Sequence, residues 1–584
     1  MTKRTMPFVF LVMMVGLLAP QRTLPRNLNI FLMYTDDQRW DTLCVGPHGL
    51  TEICALPAED HPMPFIEEIA ADGQLFTNAF ASTPNCCPAR ASLLSGGFYA
   101  HHHGVLTNDR PNGSVYDFVD TTTLATLLQE QGYKTALIGK YMNRYQEYVD
   151  ENGLYVPPGW DLFLAFYNTV ETEIGPYRFV EGSSTPTSSS TGVFVDVNDG
   201  TYLADYMRAR AIQFINDNCC DTPIFLFFST HGPHPPAVPA PRHTAEGLYA
   251  DFVYRDRSWG EEDLSDKPAY VQREDLYWTP GLDDTLHVDM LRSLQALDEA
   301  AEAIISTFNQ LGEGSQTVML FGSDNGYLWQ EHKTVGKRKP YEESIRVPLI
   351  LHLPGFAPSE IEALVSPNID LGPTILDIAG VYPAGVTFDG RSLLPLVQDP
   401  NTPWRAALLL ETYAVADAPA WTGIRTSEYK YVEYVTGERE LYDLAADPYE
   451  MENKVRDPAY AAVVADMAAG MRSLGIGLFI LTQNFPDPQT ADLPTGYLGQ
   501  DYSFQLFARG GLTPYIWNYY QDAAYCTGDL PPGLTVSAEG LINGAPSETG
   551  VWEFCVQVQD SSVSPQPGNT QPQAVILKVS LAAQ

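Results

Sequence analysis

The sequence predicts an α/β protein: a large, mostly parallel β-sheet flanked by helices, followed by a small all-β domain. Three observations carry this reading. Short, unbroken apolar runs recur along most of the chain, at Asn29–Thr35 (NIFLMYT), Lys134–Gly139, Pro223–Ser229, Thr317–Gly322 and Val347–Leu353. A strand wet on one face alternates polar and apolar residues, so runs without alternation predict strands buried on both faces. Helical patterns such as Thr122–Gln131 and His287–Leu311 lie between these runs, the order that puts helices on both faces of a parallel sheet. Beyond residue 484 the helical period stops. Short alternating segments and Pro/Gly turns such as Leu530-Pro531-Pro532-Gly533-Leu534 take its place, and about 100 residues of this kind predict a β-sandwich.

Element by element, the chain divides into a signal peptide (1–24), a large domain (25–480) and a β-sandwich domain (484–584). Lys3 and Arg4 precede an apolar run from Met6 to Ala19. That run is shorter than the ~20 apolar residues of a membrane span, so it reads as a secretory signal. No integral membrane span is expected unless that signal stays uncleaved. Localisation is therefore expected to be secreted, periplasmic or at the cell surface. The cysteines fit an exported protein: Cys44/Cys54 and Cys526/Cys555 are candidate local disulfides. The adjacent pairs Cys86-Cys87 and Cys219-Cys220 lack the spacing of zinc ligands.

The 584 residues include 34 Lys+Arg against 72 Asp+Glu, a formal charge of −38. Nucleic-acid binding needs a basic face for counterion release and is excluded as a partner class. With 45% hydrophobic and 11% aromatic residues the chain is also far too apolar for disorder.

Chemistry collects just past the apolar runs, where open α/β sheets bind ligands. Asp36-Asp37 follow the first run, Lys140 the second, His234 the third and Asp324-Asn325 the fourth. A helix cap accounts for one acid at a strand end, but not for two acids, an Asp-Asn pair, a Lys and a His in one topological place. Three carboxylates and an amide oxygen form a hard, oxygen-rich cage suited to Ca²⁺ or Mg²⁺ and unlike a zinc site.

The most specific segment is Asn85-Cys86-Cys87-Pro88-Ala89-Arg90. Pro88 suits a first helical position, which places Cys86 just before a helix N-terminus, where backbone N–H groups favour an anion. This string resembles the sulfatase signature Cys-x-Pro-x-Arg, whose cysteine is oxidised to formylglycine (3-oxoalanine); Ala89 stands where the family most often has Ser. Further resemblances follow in order: Asp36-Asp37-Gln38, Gly139-Lys140-Tyr141, Gly232-Pro233-His234-Pro235, Ser323-Asp324-Asn325-Gly326, Gly336-Lys337-Arg338 and Glu440-Leu441-Tyr442-Asp443-Leu444. They cover residues 28–475.

The resemblance implies an alkaline-phosphatase-like sulfatase fold and an enzyme that hydrolyses sulfate monoesters. It implies a formylglycine made from Cys86 by a formylglycine-generating enzyme, with Ca²⁺ held by Asp36, Asp37, Cys86, Asp324 and Asn325. Arg90, Lys140 and Lys337 would carry the charge of the sulfate, and His234 would act near the leaving oxygen. Where many sulfatases have His, position 142 is Met, followed by Asn143. Gly-Lys-Tyr-x-Asn and the Cys-Cys-Pro start resemble the N-acetylglucosamine-6-sulfatase subgroup and the extracellular heparan 6-sulfatases. Asn108 and Asn143 are expected near the substrate. The run His101-His102-His103 sits at a family turn and is not expected to ligate metal. The C-terminal domain resembles Ig-like modules of bacterial surface proteins. Tyr515, Trp517, Tyr519 and Tyr520 there fit either a sugar-stacking face or a strand core.

A sulfated sugar of the N-acetylglucosamine-6-sulfate kind is the expected substrate. The alternatives are an arylsulfatase, a phosphonate or phosphate monoester hydrolase, and a catalytically inactive surface-binding protein. The four basic residues of Lys333–Lys339 are expected at the strand ends, and the acidic surface favours small sulfated substrates over long polyanions.

Overall fold

The apolar runs form the centre of a ten-stranded sheet. Its strands are β1 (Asn29–Thr35), β2 (Gln74–Phe76), β3 (Lys134–Gly139), β4 (Leu162–Phe166), β5 (Tyr177–Gly182), β6 (Val193–Val197), β7 (Ile224–Ser229), β8 (Thr317–Ser323), β9 (Leu349–His352) and β10 (Ser359–Ile361). Their order across the sheet is β10-β2-β9-β8-β1-β7-β3-β4-β5-β6. The computed structural model describes residues 27–582 except 47–48, 111, 151–152, 168–172, 245–247, 250–251, 274–283, 414–417, 475–478, 482–489, 494, 510–515, 522–527 and 560–572. The expected signal peptide, Tyr515 and Cys526 lie outside the described residues.

The five strands β8, β1, β7, β3 and β4 run parallel. Toward the edges the sheet turns mixed: β9 is antiparallel to β8 and to β2, and β5 is antiparallel to β4 and β6. The run around Val347–Leu353 is thus a buried strand of opposite sense, which apolarity by itself does not distinguish.

All seven residues of β1 are buried. Ile30, Leu32 and Tyr34 pack with α2 (Cys86–Leu94), α3 (Leu124–Glu130) and α6 (Pro367–Ala379); Phe31 and Met33 pack with α1 (Pro64–Asp72), α4 (Leu203–Asn218) and α5 (Asp284–Gln310). Burial on both faces is why the run shows no alternation. Each such side chain contributes about 1.5–3 kcal/mol.

A four-stranded antiparallel sheet follows, β11 (Leu408–Thr412), β12 (Trp421–Arg425), β13 (Tyr429–Tyr434) and β14 (Arg439–Asp443), covered by α7 (Ala461–Ser473) through Ile424, Tyr431, Met467 and Met471. Among the described residues the C-terminal region forms three further small sheets, and its core gathers around Trp517, Ile542, Phe554 and Leu577. Trp517 is therefore a core residue, and Tyr519 donates to the Gly528 carbonyl. Cys44 and Cys54 are disulfide-bonded with Cα atoms 5.3 Å apart, and Cys219 is bonded to Cys220. Cys555 is disulfide-bonded too.

Candidate active site

The parallel strands end in step. Register pairs Thr35 with Ser323, Tyr34 with Ser229, and Ser229 with Gly139. The residues that follow, Asp36, Asp324 and Lys140, therefore emerge side by side from one edge of the sheet. Gly139 makes this closeness possible. It sits at φ +116°, and a Cβ there would lie 2.0 Å from the Ser229 carbonyl oxygen, the same oxygen that accepts the Lys140 N–H at 2.7 Å.

Past β1 the backbone reverses through Asp37, which takes φ +63°. That left-handed conformation is uncommon outside glycine and best tolerated by Asp and Asn. It brings the second carboxylate back beside the first. Asp37 Oδ1 accepts from Asn325 Nδ2 at 2.6 Å and Lys337 Nζ at 2.5 Å. Asp324 Oδ1 accepts from the backbone N–H groups of Asp37 and Asn325 at 3.2 and 2.8 Å.

Cys86 meets this cluster from above. It is the first residue of α2, and Pro88 is the third. The expectation that Pro88 opens the helix, with Cys86 outside it, is corrected. The first four N–H groups of a helix lack intrahelical partners, so a proline costs little at any of these positions. The N–H of Cys87 is capped by Asn108 Oδ1 at 2.9 Å, so Asn108 fixes the helix start that presents Cys86. The Cys86 thiol receives Lys337 Nζ at 2.7 Å and lies 3.5 Å from Asp36 Oδ1. Burial and the Asp36 charge push it up to about 11, which keeps an unmodified thiol protonated at neutral pH.

One turn on, the fully buried Arg90 holds Asp324 Oδ2 with Nε at 3.0 Å and Nη2 at 2.9 Å, and donates from Nη1 to Ser229 Oγ at 2.5 Å. Lys140 Nζ pairs with Asp36 Oδ2. Burial alone would raise Asp36, but Lys140, His234, Lys337 and Arg90 together hold it well below the usual carboxylate range. Asp324 goes the other way, up to about 6, because burial and the Asp36 charge outweigh Arg90.

His234 lies on the outer side with its Nε2 3.6 Å from Asp37 Oδ2. Its Nδ1 is 2.6 Å from the Pro235 carbonyl. A carbonyl only accepts, so Nδ1 carries the proton and Nε2 presents a lone pair to the cluster. Burial and the Lys337 and Lys140 charges press this imidazole down to about 4, against the pull of Asp37 and Asp36, and it is neutral at pH 7. Asn143 Oδ1 is buried without a partner, and Met142 packs its sulfur 3.5 Å from Cys87 Sγ.

Two oxygens of the proposed cage are orphaned: Asp37 Oδ2 and Asn325 Oδ1 are buried with no hydrogen-bond partner. Buried polar atoms are rarely left so, and a hard cation is the partner that this all-oxygen donor set fits.

The other polar runs go elsewhere. His101 pairs with Glu411 at 2.8 Å, His102 with Asp389 at 2.6 Å and His103 with Ser92 at 2.9 Å. Of the basic segment, Lys337 enters the site, whereas Lys339 donates to the Val335 carbonyl. This corrects the expectation that the whole segment gathers there. Two contributors escaped sequence reasoning. Ser229 joins Arg90 to the Lys140 carbonyl, to which it donates at 2.6 Å; the sole signal is a polar residue closing an apolar run. Asn368 donates to the Asp324 carbonyl at 3.2 Å and to Tyr34 at 2.9 Å, and no local pattern marks it.

Residues 29–381 match the family described as Sulfatase. The chain belongs to the sulfatase family. Residues 330–475 also match the N-sulphoglucosamine sulphohydrolase C-terminal family. The extracellular sulfatase SULF-1 homologue of Drosophila melanogaster is 29% identical over 405 residues, 66% of this chain and 33% of the fly protein. Human N-acetylglucosamine-6-sulfatase is 29% identical over 399 residues, 66% of this chain and 67% of the human protein. The chain thus spans one third of the fly sulfatase and about two thirds of the human one. A solved structure of a protein in complex with its substrate D-glucosamine-2-N,6-O-disulfate shares the sulfatase fold, with a TM-score of 0.60 at 24% identity over 77% of this chain and 97% of that one.

Proposed function

We propose that the protein is an exported sulfatase that hydrolyses a sulfate monoester on a small sugar of the glucosamine-6-sulfate kind. The observation that carries this reading is the meeting of Cys86, at the start of a buried helix, with three carboxylates, an amide and three cations at one sheet edge. The name of the human relative, N-acetylglucosamine-6-sulfatase, supports the sugar class.

Asp36, Asp37, Asp324 and Asn325 would hold Ca²⁺, with residue 86 beside them. A formylglycine at position 86, as its hydrate, would supply a hydroxyl nucleophile, and a bound Ca²⁺ would supply positive charge beside it. Arg90 and Asp324 brace each other. Lys140 and Lys337 are the cations free to turn from carboxylate toward the substrate, where they offset charge that builds as the S–O bond breaks. His234 Nε2 faces the cluster as a neutral acceptor, suited to take a proton and then return it to the departing oxygen. Asn143, with its unpartnered Oδ1, would accept from a sugar hydroxyl. Asn108 acts through Cys87 as a positioning residue.

Turnover of nitrophenyl sulfate and nitrophenyl phosphate, alongside a panel of sulfated monosaccharides, tests the reaction. Preferred turnover of glucosamine-6-sulfate is expected, and a large phosphate preference would overturn it in favour of a phosphate or phosphonate hydrolase. The mass of the Cys86 peptide from the natural host tests the nucleophile. An unmodified cysteine together with absent turnover would favour a surface-binding protein.

A further inference from the structure

We propose that His332, Glu343 and Glu450 form a second, fully internal site for a divalent metal of the zinc or manganese class, with no ligand shared with the strand-end cage. The three residues are buried, and each offers a ligand atom within 4.8 Å of the others'. Ligand atoms bound to one ion at about 2.0–2.2 Å lie no more than about 4.4 Å apart, so a small closure of these side chains brings them onto one ion.

Two of the ligand groups are unsatisfied. His332 Nε2 and Glu343 Oε2 have no hydrogen-bond partner, in side chains whose residues are 0% and 5% exposed. Both atoms being partnerless, no hydrogen bond joins them to each other. The other ring nitrogen, Nδ1, is 2.6 Å from Glu261 Oε2, and Lys267 Nζ lies 3.2 Å from the other oxygen of that carboxyl group. A carboxylate that accepts from Nδ1–H leaves the Nε2 lone pair free, which is the arrangement that orients metal-binding histidines. Burial and the nearby Lys267 hold His332 well below its ordinary value, so this lone pair stays unprotonated.

The surrounding charges single out Glu343. Glu331 is met by Arg39 at 2.5 Å, Glu342 by Arg425 at 3.0 Å, and Glu450 by Lys430. Among the described residues Glu343 has no ion pair. An uncompensated buried charge is costly, and a cation bridging Glu343, His332 and the Lys430-paired Glu450 would remove that cost. One imidazole with carboxylates is a zinc or manganese donor set, whereas the strand-end cage is all oxygen.

The site has a mechanical consequence. His332 and Glu343 bracket the stretch of chain that carries Lys337, so an ion between them ties both ends of the segment that delivers this cation to the cage.

Metal analysis of the purified full-length protein tests this, and it does not depend on turnover. One equivalent of zinc or manganese is expected, retained on dialysis and separate from calcium. Asp324→Asn is expected to keep it, and His332→Gln and Glu343→Gln each to lose it. Chelator-stripped wild-type protein, offered Zn²⁺ or Mn²⁺ alone, should regain one equivalent with a rise in its thermal midpoint. A wild-type protein that neither carries nor takes up such a metal overturns the proposal, and ordered water then fills the cluster. Loss of the equivalent in Asp324→Asn, or its retention in Glu343→Gln, overturns it as well. Should both cluster variants fail to fold, stripping and reloading the wild type decides the matter.

Discussion

Replacing Ser229 by Ala removes one oxygen from the point where α2 and β3 are tied together. That oxygen accepts from Arg90 Nη1 at 2.5 Å and donates to the Lys140 carbonyl at 2.6 Å. Ser229 and Arg90 are fully buried, so water does not take the place of the lost hydroxyl. The bond to the guanidinium is worth about 1.5–3 kcal/mol and the neutral bond about 1 kcal/mol, a loss of about 2.5–4 kcal/mol in folding stability. The Arg90 share is what the proposed sulfate-transfer step would feel, and it corresponds to about 10- to 100-fold in kcat/KM. Urea unfolding reports the first quantity and nitrophenyl sulfate hydrolysis the second. A variant with wild-type kcat/KM would refute the positioning of Arg90 by Ser229, and an unshifted unfolding midpoint would refute the energetic assignment.

Chelation of Ca²⁺ should abolish hydrolysis reversibly, and Asn325→Ala should raise the calcium needed for half-maximal activity, because it removes a cage oxygen; turnover indifferent to chelator would sink the cage assignment. His103 is held down to about 3 by burial and by the neighbouring His101 and His102. Its folded value lies below the unfolded one, so its stability contribution is present at neutral pH and is lost as pH falls from 6.5 toward 3, with a slope of up to about 1.4 kcal/mol per pH unit. In His103→Gln, acid unfolding curves should lose this part of the slope, and identical pH profiles would contradict it. Cys44→Ser opens a loop of sequence separation 10 and should cost about 3 kcal/mol on the chain-entropy account; an unchanged denaturation midpoint under non-reducing conditions would remove that assignment.

The strands at the heart of the sheet were legible because burial on both faces leaves an apolar run with no polar interruption, and the polar residue ending each run then stands out. Asp36, Lys140 and Asp324 were read in this way, and the register brings them together. What the chain hides is partnership at a distance. Ser229 and Asn368 act through residues 139 and 44 positions away; Ser229 shows only as the polar residue closing its run, and nothing local marks Asn368. The run from His332 to Lys339 reads as one basic cluster, yet Lys337 turns to Asp37 while His332 turns to Glu261. Net charge describes the surface and leaves such interior sorting unseen.

The stepped ends of β8, β1, β7 and β3 make the sheet a ruler for its own chemistry. Each strand advances about 3.3 Å per residue and turns successive side chains to opposite faces. Deleting a single residue within β1 would withdraw Asp36 by that distance and exchange the sets that Ile30 and Phe31 bury. Length is therefore frozen in these strands. The connections beyond Lys140 and His234 are under no such measure, and insertions there would leave the strand-end cluster undisturbed.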